Sequence, residues 1–391
     1  MYILGEEEFP LFGLMLDSGS RYIASKECTG FCIKYVVSET GEVAERVIGF
    51  PFTPQHAGEH LQVVLVDVMS AFNKRTVEIQ RILQPGTVPD VKLVLRNLTN
   101  FGGDGANVTK FIGMNQRVLK FNARAISHWC APHRVNCSIG HTTTGITLGT
   151  RINADVQQAK HQASITNFIK LVKSSPKQRG RQMEFQKKIK EYIFFGRKQP
   201  LQIPKCPMYR WESEFVGMLV LSTMSEANKA YLEEAVKTPL SDQGEHLKKA
   251  DGLLATMCTA EFLLYMGTRL DVLSPLVFFL KELQDGNLDI DEYLEGIHKV
   301  RAELKRLISD GPGKRGPGKF YRETKKAILS RDGRFNGWDG VESFRQNKPE
   351  QIEADKRFQA AAVKQLDTFN RLFDEEREEQ LEVYKIISMK R

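Results

Sequence analysis

The pattern of hydrophobic positions divides the chain into two parts. In roughly the first 150 residues, short apolar runs typical of strands alternate with segments whose apolar residues recur at helical spacing. The predicted strands are 12–17, 28–37, 46–52, 91–95 and 125–129, and the predicted helices are 61–72, 111–120 and 132–148. Turn-forming residues separate them at 18–20, 39–42 and 102–105. Three meandering strands followed by strand–helix units predict an α/β fold, in which helices flank a mixed sheet.

Beyond Thr150 the strand pattern stops and helical spacing takes over. The predicted helices are 165–172, 185–195, 215–236, 247–273 and 290–308. A segment rich in Gly, Pro and Lys predicts a linker at 309–319, and a charged helix is predicted at 358–391. The sequence thus predicts four parts, namely an α/β core at 10–150, a large all-α domain at 151–308, the linker at 309–319 and a helical C-terminal segment at 320–391.

Composition narrows the class of protein only moderately. The chain has 391 residues, of which 41% are hydrophobic, so wholesale disorder is excluded. Its 56 Lys and Arg exceed its 48 Asp and Glu, and the net charge of +8 suits a polyanionic partner. Six scattered cysteines and an acidic start predict an intracellular protein. The longest apolar run, 270–283, is broken by Ser274, Pro275 and Lys281, so we expect no membrane span.

Asp17 and Asp104 are the first candidates for chemistry. Each follows a strand-like run, and the proposed strand order makes those two strands neighbours. Carboxylate oxygens are ligands that Mg²⁺ takes in proteins, and two ions about 4 Å apart activate water against a phosphodiester. The alternative is that both acids form ordinary turns, because Asp before Ser-Gly and Asp before Gly are common turn sequences. If the pair is a metal site, we expect their Cα atoms to lie within ~12 Å of each other.

A cluster of cysteines and histidines follows the fifth predicted strand, and its members are Cys130, His133, Cys137 and His141. On a helix these residues lie along one face over ~16 Å, and one straight helix cannot surround a tetrahedral zinc ion. We therefore expect no zinc here, although two of them with ligands from elsewhere remain an alternative. The simpler interpretation is a helix that begins at Pro132 with its small polar residues facing the sheet.

Two further features suit nucleic acid. Trp211 beside Arg210 is able to stack on an extruded base, although a lone Trp in a helical region is also typical of a core. Two basic stretches are able to contact phosphates, or else form solvated surface. Their residues are Lys173, Lys177, Arg179, Arg181, Lys187, Lys188 and Lys190 in the first, and Lys314, Arg315, Lys319, Arg322, Lys325 and Lys326 in the second.

Four of these segments, in the same order along the chain, resemble hAT-type transposases. Residues 16–20 resemble the family's first block, an Asp followed by small residues, and residues 103–107 resemble its Asp-Gly-Ala-Ser/Asn block. Residues 128–136 resemble its Cys-x-x-His block, and residues 210–213 resemble the Arg-Trp element of its inserted helical domain. Within that family, the chain resembles the domesticated, zinc-finger-associated hAT relatives of animal genomes.

The resemblance implies a fold and a chemistry. It implies a ribonuclease H-like mixed sheet with flanking helices, followed by a large all-α insertion domain. Asp17 and Asp104 would be two of three catalytic acids that hold Mg²⁺ for DNA cleavage and strand transfer. Cys130 and His133 would lie near that site, and Trp211 would stack on DNA close to the cleavage point. The resemblance also implies a nuclear protein.

The departures from the family pattern weaken the expected chemistry. No BED-type zinc finger opens the chain, and Arg21-Tyr22 stands where many relatives have Thr-Asp. The Ser-Glu-Arg-x-Phe-Ser pattern that brings the third acid and drives dimerisation does not occur up to Arg391. We therefore expect a protein that binds nucleic acid or protein partners, with cleavage lost or incomplete, Mg²⁺ needed only if it is active, and oligomerisation weakened. The alternatives are an active metal-dependent transposase or nuclease, and a helical scaffold for protein partners.

Overall fold

The computed structural model of the chain forms two compact units, Met1–Arg134 and Val135–Arg391. The residues that it describes are 12–21, 26–36, 43–51, 58–83, 97–103, 126–129, 131–144, 146–147, 150–151, 156–194, 196–203, 211–237, 244–285, 288, 290–311, 318–330 and 334–373. The predicted turn at 39–42, strand at 91–95 and helix at 111–120 lie outside these residues.

The first unit contains a five-stranded mixed sheet. Its strands are β1 (Phe12–Arg21), β2 (Lys26–Val36), β3 (Val43–Gly49), β4 (Leu98–Gly103) and β5 (Ile126–Trp129). They lie in the order β3-β2-β1-β4-β5, so β1 is the central strand. Strands β1, β2 and β3 form an antiparallel meander, whereas β4 runs parallel to β1 and β5 runs parallel to β4. The predicted mixed sheet followed by a large helical region is thus observed.

Strand β1 is longer than the sequence predicts. The turn predicted at 18–20 is wrong, because β1 continues to Arg21. Its polar second half keeps full pairing with β2, in which Ser18 lies opposite Thr29 and Ser20 lies opposite Glu27. Polar and small residues therefore stay in the strand, since backbone pairing with a neighbour holds them there whatever their turn propensity.

Strand β4 also includes residues for which a turn is predicted. Gly102 and Gly103 form its last two positions, so the turn predicted to start at Gly102 begins no earlier than residue 104. Both glycines pair on two sides: Gly103 lies opposite Leu16 of β1 and opposite Trp129 of β5. A strand with neighbours on both edges tolerates glycines that would weaken an edge strand.

One long helix of this unit, α1 (Gly58–Leu83), packs against β3. Its predicted apolar stripe is buried in part, since Leu65, Val68 and Met69 are at most 9% exposed. The contact is close at Gly49, where a Cβ atom would lie 2.9 Å from a methyl carbon of Val68. A glycine at the end of β3 therefore lets the helix approach the sheet.

In its described residues the second unit is helical apart from a short hairpin, β6 (Ile146–Thr147) with β7 (Thr150–Arg151), and one isolated bridge between Thr259 and Asp339. Helix α2 begins in the first unit and continues into the second. The described helices from there onward are α2 (Ala131–Thr144), α3 (Val156–Lys173), α4 (Pro176–Ile189), α5 (Glu191–Phe194), α6 (Trp211–Thr223), α7 (Ser225–Lys237), α8 (Gly244–Met257), α9 (Ala260–Asp285), α10 (Ile290–Asp310), α11 (Lys319–Leu329), α12 (Val341–Gln346) and α13 (Lys348–Leu372). Helix α2 ends at Thr144, before the predicted end at residue 148.

Three helices predicted as continuous are each divided into two, and local hydrogen bonds explain the breaks. Helix α4 ends at Ile189, and its C-cap residue Lys190 has a left-handed φ of 59°. The carboxylate of Glu191 accepts backbone N–H groups in the first turn of α7 at 3.0 and 3.1 Å. At the start of α9, the Thr259 hydroxyl accepts the N–H of Phe262 at 3.1 Å. Apolar spacing alone does not reveal such caps, because the stripe continues across them.

Helix α9 forms the centre of the second unit and contacts α6, α10, α11 and α13. Among the described residues, Ala260–Gln284 is one helix that is long and apolar enough to cross a membrane, and 72% of its most apolar window is buried. Such burial is typical of a core helix surrounded by other helices. The apolar residues Leu294, Ile297 and Leu304 of α10 are at most 3% exposed, so one side of this helix is buried.

The linker is shorter at both ends than the sequence predicts. Helix α10 continues to Asp310 and α11 begins at Lys319, so the linker is confined to residues between these helices, of which 312–317 lie outside the described residues. Helix α13 starts at Lys348, ten residues before the predicted start at 358, and 374–391 lie outside the described residues. Because α11 and α13 pack on α9 and α10, this C-terminal part belongs to the second compact unit.

Candidate functional site

Asp17 lies in the central strand of the sheet. Its backbone is opposite Gly30 of β2, and the residue before it, Leu16, is opposite Gly103 of β4. The prediction that Asp17 ends its strand is wrong, because four further residues of β1 follow it. Asp104 follows Gly103 in the chain and lies outside the described residues. Strand β4, which ends one residue before Asp104, pairs with β1, whereas the strand predicted before Asp104, at 91–95, lies outside the described residues.

The predicted Cys-x-x-His segment lies at the beginning of α2. The helix starts at Ala131, so Pro132 is in its first turn, as predicted, and His133 is half-buried there. Cys130 lies outside the described residues. In the part of the chain that the structure describes, no three His, Cys, Asp or Glu side chains come together as metal ligands.

The small polar residues of α2 make a contact that the sequence does not indicate. We expected them to face the sheet, but two of them bind Gln365 of α13. The Gln365 amide donates to Ser138 Oγ at 2.8 Å, and its Oε1 accepts from the Thr142 hydroxyl at 2.7 Å. All three residues are buried, so the amide satisfies polar groups that would otherwise be costly inside the unit. The partner is more than two hundred residues away in sequence, which periodicity does not encode.

The Arg-Trp element is only partly described. Trp211 is the first residue of α6, and Arg210 lies outside the described residues. A position at the start of a helix agrees with either interpretation of the tryptophan. The roles expected for Arg210 and Trp211 in DNA binding therefore stay predictions.

The first basic stretch forms most of one helix. Lys173 is the last residue of α3, and Lys177, Arg179 and Arg181 belong to α4. Helix α4 begins with Ser175, whose hydroxyl accepts the N–H of Gln178 at 3.2 Å, followed by Pro176 in the first turn. The sequence predicted a helix only from residue 185, because apolar residues are rare before that point.

Glutamines replace apolar residues on the buried side of α4. Gln178, Gln182 and Gln186 recur every four residues and are at most 7% exposed. The Gln186 amide donates to Gln182 Oε1 at 2.7 Å and to the Leu201 carbonyl at 2.9 Å, while its Oε1 accepts the Leu201 N–H at 2.8 Å. The spacing of four is the signal that could have placed this helix, since it marks one helical face whatever its polarity.

Two further hydrogen bonds join the glutamines to helix α7. Gln182 donates its amide to Asn228 Oδ1 at 2.9 Å, and the Tyr231 hydroxyl donates to Gln178 Oε1 at 2.9 Å. Burial, which disfavours the charged phenolate, raises the pKa of Tyr231 to about 12, so the hydroxyl keeps its proton at neutral pH. We call the set Gln178, Gln182, Gln186, Asn228 and Tyr231 the glutamine network. It fixes α4 to the rest of the helical unit.

The solvent side of α4 carries the cations. Lys177, Arg179, Lys187 and Lys188 are exposed, as is Lys190 at the helix end. Arg181 is half-buried, and Glu184 is the one exposed acid in this helix. The helix therefore presents a positively charged surface whose opposite side is anchored by the glutamine network.

Part of the second basic stretch joins helices within the second unit. Its residues 314 and 315 lie outside the described residues, whereas Lys325 in α11 binds both carboxylate oxygens of Asp355 at 2.7 and 2.8 Å. The Tyr321 hydroxyl donates to the same carboxylate at 2.9 Å. Lys325 thus joins α11 to α13, and its charge is already neutralised by an acid of this chain.

Two buried acids cap helices, and the sequence analysis did not single them out. Both carboxylate oxygens of Asp271 in α9 accept backbone N–H groups at the start of α11, from Phe320 at 3.0 Å and Tyr321 at 2.8 Å. Burial raises the pKa of Asp271 to about 6, against the lowering effect of those hydrogen bonds. Burial also raises the pKa of Glu191, although Arg334 lies 3.4 Å from its carboxylate. Both acids hold the helical unit together.

A small cavity lies among α6, α7, α8 and α9, with Leu221, Met257 and Trp338 in its lining. Its volume of about 20 Å³ is enough for a single water molecule. The Trp338 indole N–H is buried without a partner among the described atoms. The space is too small for a nucleotide or a metabolite.

Comparison with known proteins finds no protein-family model that matches the chain and no curated protein that matches it.

Proposed function

We propose that this chain is a transposase-derived protein, with a ribonuclease H-like core in its first unit, that binds nucleic acid and does not cleave it. The observation that carries the proposal is the sheet. Its order is β3-β2-β1-β4-β5, an antiparallel meander followed by two parallel strands, and it agrees with the mixed sheet that the resemblance implies. This sheet supports the proposal because two of the family-like motifs lie on β1 and at the end of β4.

The register of β1 and β4 supports a shared position for the two acids. Leu16 pairs with Gly103. In the sequence, Asp17 follows Leu16 and Asp104 follows Gly103. Neighbouring strands lie about 4.8 Å apart, and residues at one level of parallel strands point to the same face. We propose that both acids supply oxygen ligands to Mg²⁺, as the resemblance implies.

The loss of cleavage is proposed from the sequence. Two-metal hydrolysis needs carboxylates that fix two cations and balance their charge. Two acids match the family pattern, and the late acids Glu375, Glu376, Glu378 and Glu379 match no motif of it. A site that holds its second ion poorly loses on the order of a thousandfold in rate or more.

Binding to nucleic acid does not depend on this metal site. The net charge of +8 and the exposed cations of α4 suit a polyanion. A protein that neutralises phosphates releases bound counterions, so its affinity falls steeply as salt rises. A helical scaffold that binds only proteins has no such dependence. The two proposals therefore differ in the slope of log affinity against log salt concentration.

The test is a binding titration of the whole chain with a labelled DNA duplex of about 30 bp over a salt series. Fluorescence anisotropy gives Kd at each salt concentration. We expect log Kd to rise linearly with log salt, with a slope of about 4 for four or five phosphate contacts. Undetectable binding at about 50 mM salt, or binding that ignores salt, would exclude the proposed function.

A further inference from the structure

We infer that the exposed side of helix α4 binds the phosphate backbone of double-stranded DNA without regard to base sequence. This inference rests on the proposed function and specifies the surface and the ligand through which it acts. We call the surface the α4 face, and it consists of the exposed cations Lys177, Arg179, Lys187, Lys188 and Lys190.

The first argument is that these cations are available. None of the five forms a salt bridge with an acid among the described residues, whereas other surface lysines do: Lys229 lies 2.6 Å from Glu233 and Lys299 lies 2.9 Å from Glu295. Lys188 lies over the ring of Phe185 at 5.3 Å, a contact that leaves its charge in place. Cations without an acid partner gain most from a phosphate, because no internal ion pair has to be broken.

The second argument is the length of the α4 face. Lys177 and Lys188 are eleven residues apart in one helix, which corresponds to about 16 Å at the helical rise. Phosphates of one DNA strand advance about 3.4 Å along the helix axis per nucleotide, so the face spans about five phosphate levels. Lys177 and Lys188 lie on nearly the same line along α4, so this pair is able to contact phosphates at both ends of that span.

The third argument concerns rigidity. The glutamine network holds the other side of α4 through amides that are at most 7% exposed. The backbone of the face is therefore fixed before DNA arrives, which reduces the ordering that binding requires. Gly180 lies between the two groups of cations, and a Cβ atom there would have no neighbour within 4 Å. The helix surface is open at that point, so a DNA strand is able to approach closely.

The chemistry of the face indicates backbone binding and not base recognition. Glutamines are among the side chains that hydrogen-bond to base edges, but those of α4 at 178, 182 and 186 are occupied inside the unit. What the helix exposes is mainly lysine, which binds phosphate as a point charge. Phosphate contacts give affinity without sequence information.

Two triple variants with the same change in net charge test the inference. The first is Lys177→Gln, Lys187→Gln and Lys188→Gln on the α4 face. The control is Lys248→Gln, Lys305→Gln and Lys356→Gln, three exposed lysines on α8, α10 and α13. Surface substitutions of this kind leave the fold intact, which circular dichroism and thermal unfolding will verify.

The measurement is Kd for a DNA duplex of about 30 bp by anisotropy, with an RNA duplex and a second DNA sequence as competitors. We expect the α4 variant to bind about 10- to 100-fold more weakly at roughly 0.1 M salt, with a log–log slope reduced by about 2 to 3. The control should change by less than about threefold, because charges beyond the Debye length of ~10 Å are screened.

The possible results separate the inference from the proposed function. Equal losses in both variants, tighter binding of the RNA duplex, or a strong preference between DNA sequences would each overturn the α4 face while leaving nucleic-acid binding intact. Absence of binding by the unchanged chain would remove the proposed function, and the inference with it. A single variant gives an opposite prediction: Glu184→Gln removes the exposed acid of α4 and should tighten DNA binding several-fold.

Discussion

The substitution Gln186→Met should destabilise the helical unit strongly although it replaces a polar residue by an apolar one of similar length. Gln186 is 0% exposed and makes two hydrogen bonds to Leu201 and one to Gln182, besides a longer N–H···S contact to Met183. Methionine fills the space but leaves the Leu201 N–H and carbonyl and the Gln182 oxygen without this partner. A buried group left unsatisfied costs about 1–3 kcal/mol, and the half-buried Leu201 regains part of that from water. We therefore expect a loss of about 2–4 kcal/mol.

Urea unfolding followed by circular dichroism measures this loss as a lower midpoint at an unchanged slope. The matched control is Gln202→Met, since Gln202 is exposed and adjacent to Leu201, and its effect should stay within about 0.5 kcal/mol. A Gln186→Met protein as stable as the Gln202→Met protein would refute the argument that the glutamine network holds α4 in place.

Three further predictions concern packing, pH and metal. Gly267→Ala should destabilise the protein by about 1–3 kcal/mol in thermal unfolding, because its Cβ atom would lie 2.8 Å from the Tyr321 Cα atom. Gly252→Ala is the control: its Cβ atom would have no neighbour within 4 Å, and it should stabilise by about 0.5–1 kcal/mol. Burial raises the pKa of Asp271 to about 6 in the folded chain, so the protonated form is favoured on folding. The free energy of unfolding should therefore be highest below about pH 4 and fall by roughly 3 kcal/mol as pH rises through 6. Asp271→Asn should flatten this part of the stability–pH curve. Purified protein should carry no stoichiometric zinc, and zinc that disappears in Cys130→Ala would contradict the interpretation of that segment.

Four of the five strands were accessible from the sequence because local patterns mark them, whereas β4 was not predicted. Apolar runs of five to ten residues placed β1, β2, β3 and β5, and the meander order followed from their short connections. The ends of strands were not accessible. Ser18 and Gly103 have turn propensity, and pairing with a neighbouring strand overrides it.

The contacts that organise the helical unit could not be predicted, because they join residues far apart in sequence. Asp271 caps a helix that begins about fifty residues later, and Gln365 binds two residues of α2. No local period encodes such pairs. The cations of α4 were recognised as a basic stretch, but their placement on one solvent side depends on glutamines that the apolar pattern does not count.

The most direct test of the central claim, binding without cleavage, is a gel assay of supercoiled plasmid DNA with the whole chain in Mg²⁺ or Mn²⁺. We expect the plasmid to be retarded and, after removal of the protein, to remain supercoiled, with Asp104→Ala indistinguishable from the unchanged chain. Nicked circles that form with the unchanged chain and not with Asp104→Ala would show an active metal site and contradict the account.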